Sequence, residues 1–95
     1  PKDRSAYTKY INSETLPILK TLYKELAKLQ SFKVENIHEV INNIAISLNV
    51  KLSKVAMPLR VALTGNTESP AIDITTQLIG KKRTLARLGR ILIEA

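Results

Sequence analysis

Apolar residues recur along this chain at spacings of three and four, and no stretch alternates long enough to make a strand. Leu19, Leu22, Tyr23, Leu26 and Leu29 form one stripe, with Lys20, Lys24 and Lys28 on a wet face. The pattern predicts a helix from an N-cap at Ser13 to about Gln30, with Pro17 in the first turn, where its missing N–H costs least. Ile37, Val40, Ile41, Ile44, Ala45 and Leu48 predict a second helix over residues 35–48. Its β-branched residues lower its intrinsic propensity, so tertiary packing must hold it. A third helix is expected over residues 53–64, with Leu52, Val55, Ala56, Leu59, Ala62 and Leu63 facing inward and a kink or break at Pro58. Residues 65–68 read as a loop. Ser69 as N-cap and Pro70 at the first helical position then start a fourth helix, with Asp73 complementing the dipole and Gly80 ending it. A fifth, over residues 82–94, buries Leu85, Leu88, Ile91 and Leu92. The expected fold class is all-α, a compact bundle of four to five short helices. Residues 1–12, polar with two tyrosines, are expected to be a linker with a short helical turn, ahead of a helical domain over 13–95.

Composition narrows the possibilities. Ninety-five residues suffice for one domain with a modest core, and a start at Pro1 suggests a piece of a longer protein. The absence of cysteine excludes disulfides, cysteine-based metal sites and thiol nucleophiles, and fits a reducing cytosol. No run of 18 apolar residues exists and the N-terminus is polar, so neither a membrane span nor a signal peptide is expected. The formal net charge is +7, and it is uneven: residues 1–50 carry 7 basic and 5 acidic side chains, residues 51–95 carry 8 and 3. The C-terminal half is the face expected to meet an anionic partner.

Candidate chemistry gathers in that half. Arg60 and Thr64 lie four apart on one helix face, a forked donor beside a hydroxyl, suited to base edges or phosphate oxygens. The alternative is that Arg60 lies over the apolar face and Thr64 caps a carbonyl. Ser69-Pro70 is readable as a simple cap or as a helix start whose N–H groups bind an oxygen and whose proline ring packs on a base. Lys81, Lys82, Arg83, Arg87 and Arg90, with Lys51 and Lys54, are candidates for phosphate contacts. The alternative is a solvated face, with Lys81 and Lys82 complementing the end of the preceding helix. His38 is the lone histidine, next to Glu39, with no second ligand at suitable spacing, so no metal site and no acid–base residue is assigned. No glycine-rich phosphate loop and no Ser/His/Asp set occurs, and no catalytic residue is assigned.

The strings KLSKVAMPLRVALTG, ESPAID and IGKKRTLARLGR closely resemble the C-terminal anticodon-binding domain of bacterial glutamyl-tRNA synthetases. The similarity runs from about Tyr7 to the last residue, with only the helix pattern supporting it in the first half. The resemblance implies the all-α anticodon-binding architecture of class I synthetases. It puts Arg60, Ser69 and Pro70 where anticodon bases are bound, with Ala71 and Ile72 beside them and Thr64 at the start of the reading loop. Family members often carry Gly-Leu-Phe or similar after the proline. Here Ala71-Ile72-Asp73 follows, and Asp73 cannot replace an aromatic stacking surface. The implied partner is a glutamate-accepting tRNA, bound by a monomeric cytoplasmic ligase. Its ATP and Mg2+ sites would lie elsewhere, leaving this chain without a cofactor. Lys51-Leu52-Ser53-Lys54 superficially resembles the KMSKS nucleotide loop, but it leads straight into a helix and lacks the companion HIGH motif. Two other classes stay open: a small helical DNA-binding or protein-interaction domain built on a helix-turn-helix, and a structural appendix that touches no RNA.

Overall fold

Asn12, not Ser13, organises the entry into the first long helix. The computed structural model describes residues 4–95, and there the Asn12 carboxamide oxygen accepts from the backbone N–H groups of Glu14 (2.9 Å) and Thr15 (3.2 Å). The Asn12 N–H in turn donates to Thr15 Oγ1 at 3.0 Å. This reciprocal pairing starts the helix at Leu16, leaves Ser13 exposed and places Pro17 in the first turn.

Six helices follow one another: α1 (Arg4–Tyr10), α2 (Leu16–Ala27), α3 (Val34–Leu48), α4 (Ser53–Thr64), α5 (Ile72–Ile79) and α6 (Lys81–Glu94). This exceeds the expected four to five because Arg4–Tyr10 forms a helix of its own, packed on α4 with Ala6 buried. Of the residues expected to form a linker, 1–3 lie outside the described ones.

The centre of the bundle is α4, which touches every other helix. Leu19, Leu22 and Leu26 of α2, Ile37 and Ile41 of α3, Val55 and Leu59 of α4 and Leu88 of α6 are essentially excluded from solvent. A helix surrounded in this way buries more than one stripe, so Val61 is buried although it lies off the expected apolar face. Packing also carries α4 across Pro58 without a break. The proline is itself buried, and the i−4 carbonyl that loses its donor belongs to exposed Lys54. Leu48 and Leu52, expected inside, are 49% and 40% exposed. They flank the turn where Asn49 adopts the left-handed conformation and ends α3, beyond the reach of the core.

One long-range hydrogen bond and one glycine fix the α5 side. Val34 N–H, an orphan donor at the start of α3, donates to Gln77 Oε1 of α5 at 2.7 Å. Gly80 has φ 90 and ψ 158, a backbone region open essentially only to glycine, and it turns α5 directly into α6 with no intervening loop.

The start of α5 corrects a second expectation. The N-cap is Ala71, in extended conformation, and its carbonyl accepts the first helical bond from Thr75 N–H at 2.9 Å. Ser69 and Pro70 precede the helix instead of capping it. Their polar groups are engaged differently: the Pro70 carbonyl accepts from Ser69 Oγ (2.8 Å) and from Thr75 Oγ1 (3.1 Å).

Candidate nucleic-acid interface

A cleft of about 380 Å3 opens where α3, α4 and α5 converge. Its floor is apolar, from Ile41, Ala56, Met57, Ala71 and Ile72, and its polar groups come from Arg60, His38, Asp73 and Ser53. Small side chains at Ala56 and Ala71 leave the space, and buried Leu59 anchors α4 in the core.

Arg60 is half-buried at this cleft and is held from two sides. Its Nε donates to Ser69 Oγ at 2.9 Å, and one Nη1 N–H donates to Met57 Sδ at 3.0 Å. Of the five N–H groups of a guanidinium, three are left without a protein acceptor among the described residues. The planar fork is therefore oriented before any ligand arrives, which lowers the entropy lost on binding. The bond to Ser69 spans nine residues and ties the connection between α4 and α5 back onto α4. Proline at 70 stiffens the same connection, with its ring exposed beside the serine.

Thr64 takes the quieter of its two expected roles. Its hydroxyl donates to the Arg60 carbonyl at 2.7 Å and accepts from Asn66 N–H at 3.1 Å, finishing α4 just before Gly65, which adopts φ 77. Ala71 and Ile72 line the cleft floor.

The basic residues divide into two sets. Lys81 Nζ donates to the Leu29 carbonyl at 2.6 Å and Arg87 Nη1 to the Leu63 carbonyl at 2.7 Å. The Leu63 carbonyl lies in the last turn of α4, so Arg87 closes that helix end, while the Leu29 carbonyl lies two residues past α2, so Lys81 holds the segment that leaves it. Lys51, Lys54, Lys82, Arg83 and Arg90 are exposed, and their side chains make no hydrogen bond or ion pair with another described residue. Arg90 joins Arg87 along a second groove of about 460 Å3, shared with Leu63, Thr64 and Gly65 at the end of α4. Lys54 lines a third, of about 440 Å3, with Tyr10 and Met57. Met57 borders both this groove and the Arg60 cleft, so α4 carries candidate contacts on adjacent sides.

Three participants were not legible as such. His38 sits at the cleft edge with Nδ1 3.7 Å from Asp73 Oδ2, and Met57 buttresses Arg60. Tyr10, with Lys9 Nζ 5.4 Å from its ring centroid, supplies an aromatic beside Lys54. The Tyr10–Lys9 pair in a polar segment was the available signal. Among the described residues, no group of three or more His, Cys, Asp or Glu comes together as a metal site, and no helix is long and apolar enough to cross a membrane. Residues 65–71 between α4 and α5 form an open connection rather than the tight turn of a helix-turn-helix, so the DNA-binding alternative is not favoured.

Comparison with known proteins agrees with this geometry. A family profile described as an anticodon binding domain matches residues 1–92. A glutamate–tRNA ligase of Thermodesulfovibrio yellowstonii is 41% identical over 87 residues, which cover 92% of this chain and 19% of that protein. One from Methylobacillus flagellatus is 41% identical over 90 residues, covering 95% and 19%. The crystal structure of a glutamate tRNA ligase from Elizabethkingia meningosepticum, in complex with its amino acid, superposes with a TM-score of 0.88 at 30% identity, over 97% of this chain and 18% of that one. The chain thus spans about a fifth of the length of the relatives it matches.

Proposed function

We propose that this chain, which belongs to the anticodon binding domain family, is the part of a glutamate–tRNA ligase that recognises the anticodon loop of a glutamate-accepting tRNA. The observation that carries the reading is the Arg60–Ser69 hydrogen bond at the rim of an apolar-floored cleft. It holds a guanidinium fork, with unused donors, beside an exposed proline ring and a space lined by Ala71 and Ile72. Sequence-specific RNA recognition favours such sites, because unstacked loop bases present both a hydrogen-bonding edge and a flat face. Arg60 reads acceptors on the base edge, Ser69 orients Arg60, and Pro70, Ala71 and Ile72 pack on the base, with Thr64 shaping the start of the loop. The exposed cations Lys51, Lys54, Lys82, Arg83 and Arg90 meet phosphates and position the strand without carrying sequence information. Lys81 and Arg87 support helix ends, and Arg87 additionally borders the groove in which Arg90 would meet the backbone.

The parent enzyme would be a monomeric, cytoplasmic class I ligase joining glutamate to tRNA at the expense of ATP, with Mg2+. The described residues of this chain offer no ligand set for a metal, so no step is assigned to it here. The test is aminoacylation by the full-length ligase on tRNAs varied at each anticodon position. Arg60→Ala is expected to cost roughly 1–3 kcal/mol of discrimination at one position, the scale of a good bidentate contact. Arg60→Lys should restore overall affinity better than selectivity, because it returns the charge without the fork. Equal losses on all variants would reduce Arg60 to a phosphate contact.

A further inference from the structure

We infer that the groove between α1 and α4 holds a ribonucleotide of the same RNA loop by its sugar, and that Pro58 makes this possible by freeing the Lys54 carbonyl to accept from the ribose 2′-hydroxyl. The inference rests on the anticodon-reading proposal and extends it from the bases to the backbone. The groove, of about 440 Å3, has Lys9 and Tyr10 on one wall and Ser53, Lys54, Met57 and Pro58 of α4 on the other. Ser53 and Met57 also line the Arg60 cleft, so a strand with a base in that cleft can pass its neighbouring nucleotide into the groove.

Proline is costly inside a helix, because it removes a hydrogen bond and crowds the carbonyl four residues before it. Here it stands in the middle of α4 with its ring less than 2% exposed. Burial calls for an apolar side chain at this position, but alanine or valine would supply one and the N–H as well. What proline alone supplies is an acceptor without its helical donor. That acceptor is the carbonyl of Lys54, an exposed residue that lines the same groove as Pro58. On the opposite wall the Lys9 carbonyl already accepts from Asn12 Nδ2 at 2.8 Å, and the Tyr10 carbonyl from Thr15 Oγ1 at 2.6 Å. A ribose hydroxyl suits the remaining carbonyl, since it is a neutral donor carried beside a phosphate. The 2′-hydroxyl separates RNA from DNA and is common to every nucleotide, so this contact reads the sugar whatever the base. The ammonium groups of Lys9 and Lys54 supply charge for the flanking phosphate. The Tyr10 ring, with Lys9 Nζ 5.4 Å from its centroid, offers a flat face to the nucleotide.

The test is aminoacylation by the full-length ligase on tRNAs carrying a single 2′-deoxy or 2′-O-methyl nucleotide at each anticodon-loop position in turn. Both changes remove the hydroxyl donor, and each should lower kcat/KM about fivefold at the position the groove holds, the scale of one hydrogen bond. Pro58→Ala returns an N–H to the Lys54 carbonyl and should erase that penalty, by bringing the all-ribose tRNA down to the level of the 2′-deoxy one. Pro58→Val returns the same N–H with a larger side chain, so agreement between the two variants assigns the effect to the N–H and not to a cavity. Arg60→Ala should keep the 2′-deoxy penalty while changing base preference. A 2′-deoxy penalty without a 2′-O-methyl penalty would mean that the sugar oxygen acts as an acceptor, and would overturn the inference. So would a penalty that persists in both Pro58 variants, even with equal losses on every tRNA, since Pro58 would then be a packing residue only. If no sugar change matters to the unaltered ligase while anticodon base changes do, the inference fails and the reading of bases stands. If base changes are without effect as well, the anticodon-reading proposal fails with it.

Discussion

The guanidinium groups of Arg60 and Arg87 both meet the C-terminal half of α4 and are used in contrasting ways. Arg87 reaches from α6 to the Leu63 carbonyl, closing α4, as Lys81 reaches from the start of α6 to the Leu29 carbonyl just past α2. Arg60, on α4 itself, meets a serine hydroxyl and a thioether, and most of its donors stay open over a cleft. Cations that meet the partial negative charge of a helix end stabilise the fold, whereas a cation held by neutral groups keeps its charge available to a ligand. A net charge of +7 therefore overstates the surface open to RNA, because part of it closes helices.

The sharpest way to break this contrast is to remove what both sides share. Leu59 is fully buried in α4, the helix that lends Arg60 to the cleft and contacts all the others. Leu59→Ala should cost about 2–5 kcal/mol of stability through lost transfer energy and a residual cavity. Thermal or denaturant unfolding would measure it, and tRNA recognition should fall for every anticodon variant alike. A loss confined to one base would mean that the cleft is deformed while the core survives.

A finer division separates Arg87 from Arg90, which border one groove three residues apart. Arg87→Ala should lower stability by about 1 kcal/mol by leaving a helix-terminal carbonyl without its partner. Arg90→Ala should leave melting unchanged, weaken RNA binding evenly across anticodon sequences, and reduce the slope of affinity against salt by about 1. Equal melting curves for the two variants would remove the distinction between closing cations and phosphate contacts.

This distinction could not be read locally. The bounds of α4 follow from apolar spacing and Gly65, and the stripe of α2 from its leucines, because a helix writes its buried face into its own sequence. The partners of the cations are not written nearby: Lys81 bonds a carbonyl 52 residues away and Arg87 one 24 away. The same cause underlies the misplaced cap at Ser69. Serine before proline is a sound local start signal, but here the hydroxyl is taken by Arg60, and α5 begins at Ile72. Likewise His38 offered no metal spacing in the sequence, and only the fold brings it to Asp73, 35 positions on. The motif placed Arg60, Ala71 and Ile72 in one neighbourhood, yet the cleft wall contributed by α3 came from packing alone.

The smallest expected effect tests whether the openness of Arg60 depends on Ser69. A hydrogen bond to a charged donor contributes about 1.5–3 kcal/mol when both partners are well placed, but this one is only partly buried, so its share of stability should be smaller. Ser69→Ala should therefore barely move the melting temperature. Its consequence should appear in selectivity, since a guanidinium freed from Nε rotates and must be ordered again by the base. Double-mutant analysis of Arg60→Ala and Ser69→Ala, read as discrimination between anticodon variants by the full-length ligase, should give a coupling of about 1 kcal/mol. Ser69→Thr keeps the hydroxyl and should recover most of the selectivity, which separates the bond to Arg60 from the mere loss of an oxygen near Pro70. Additive losses would mean that Met57 alone aligns the fork, and the tether between α4 and the connection before α5 would then be a feature of the fold rather than of recognition.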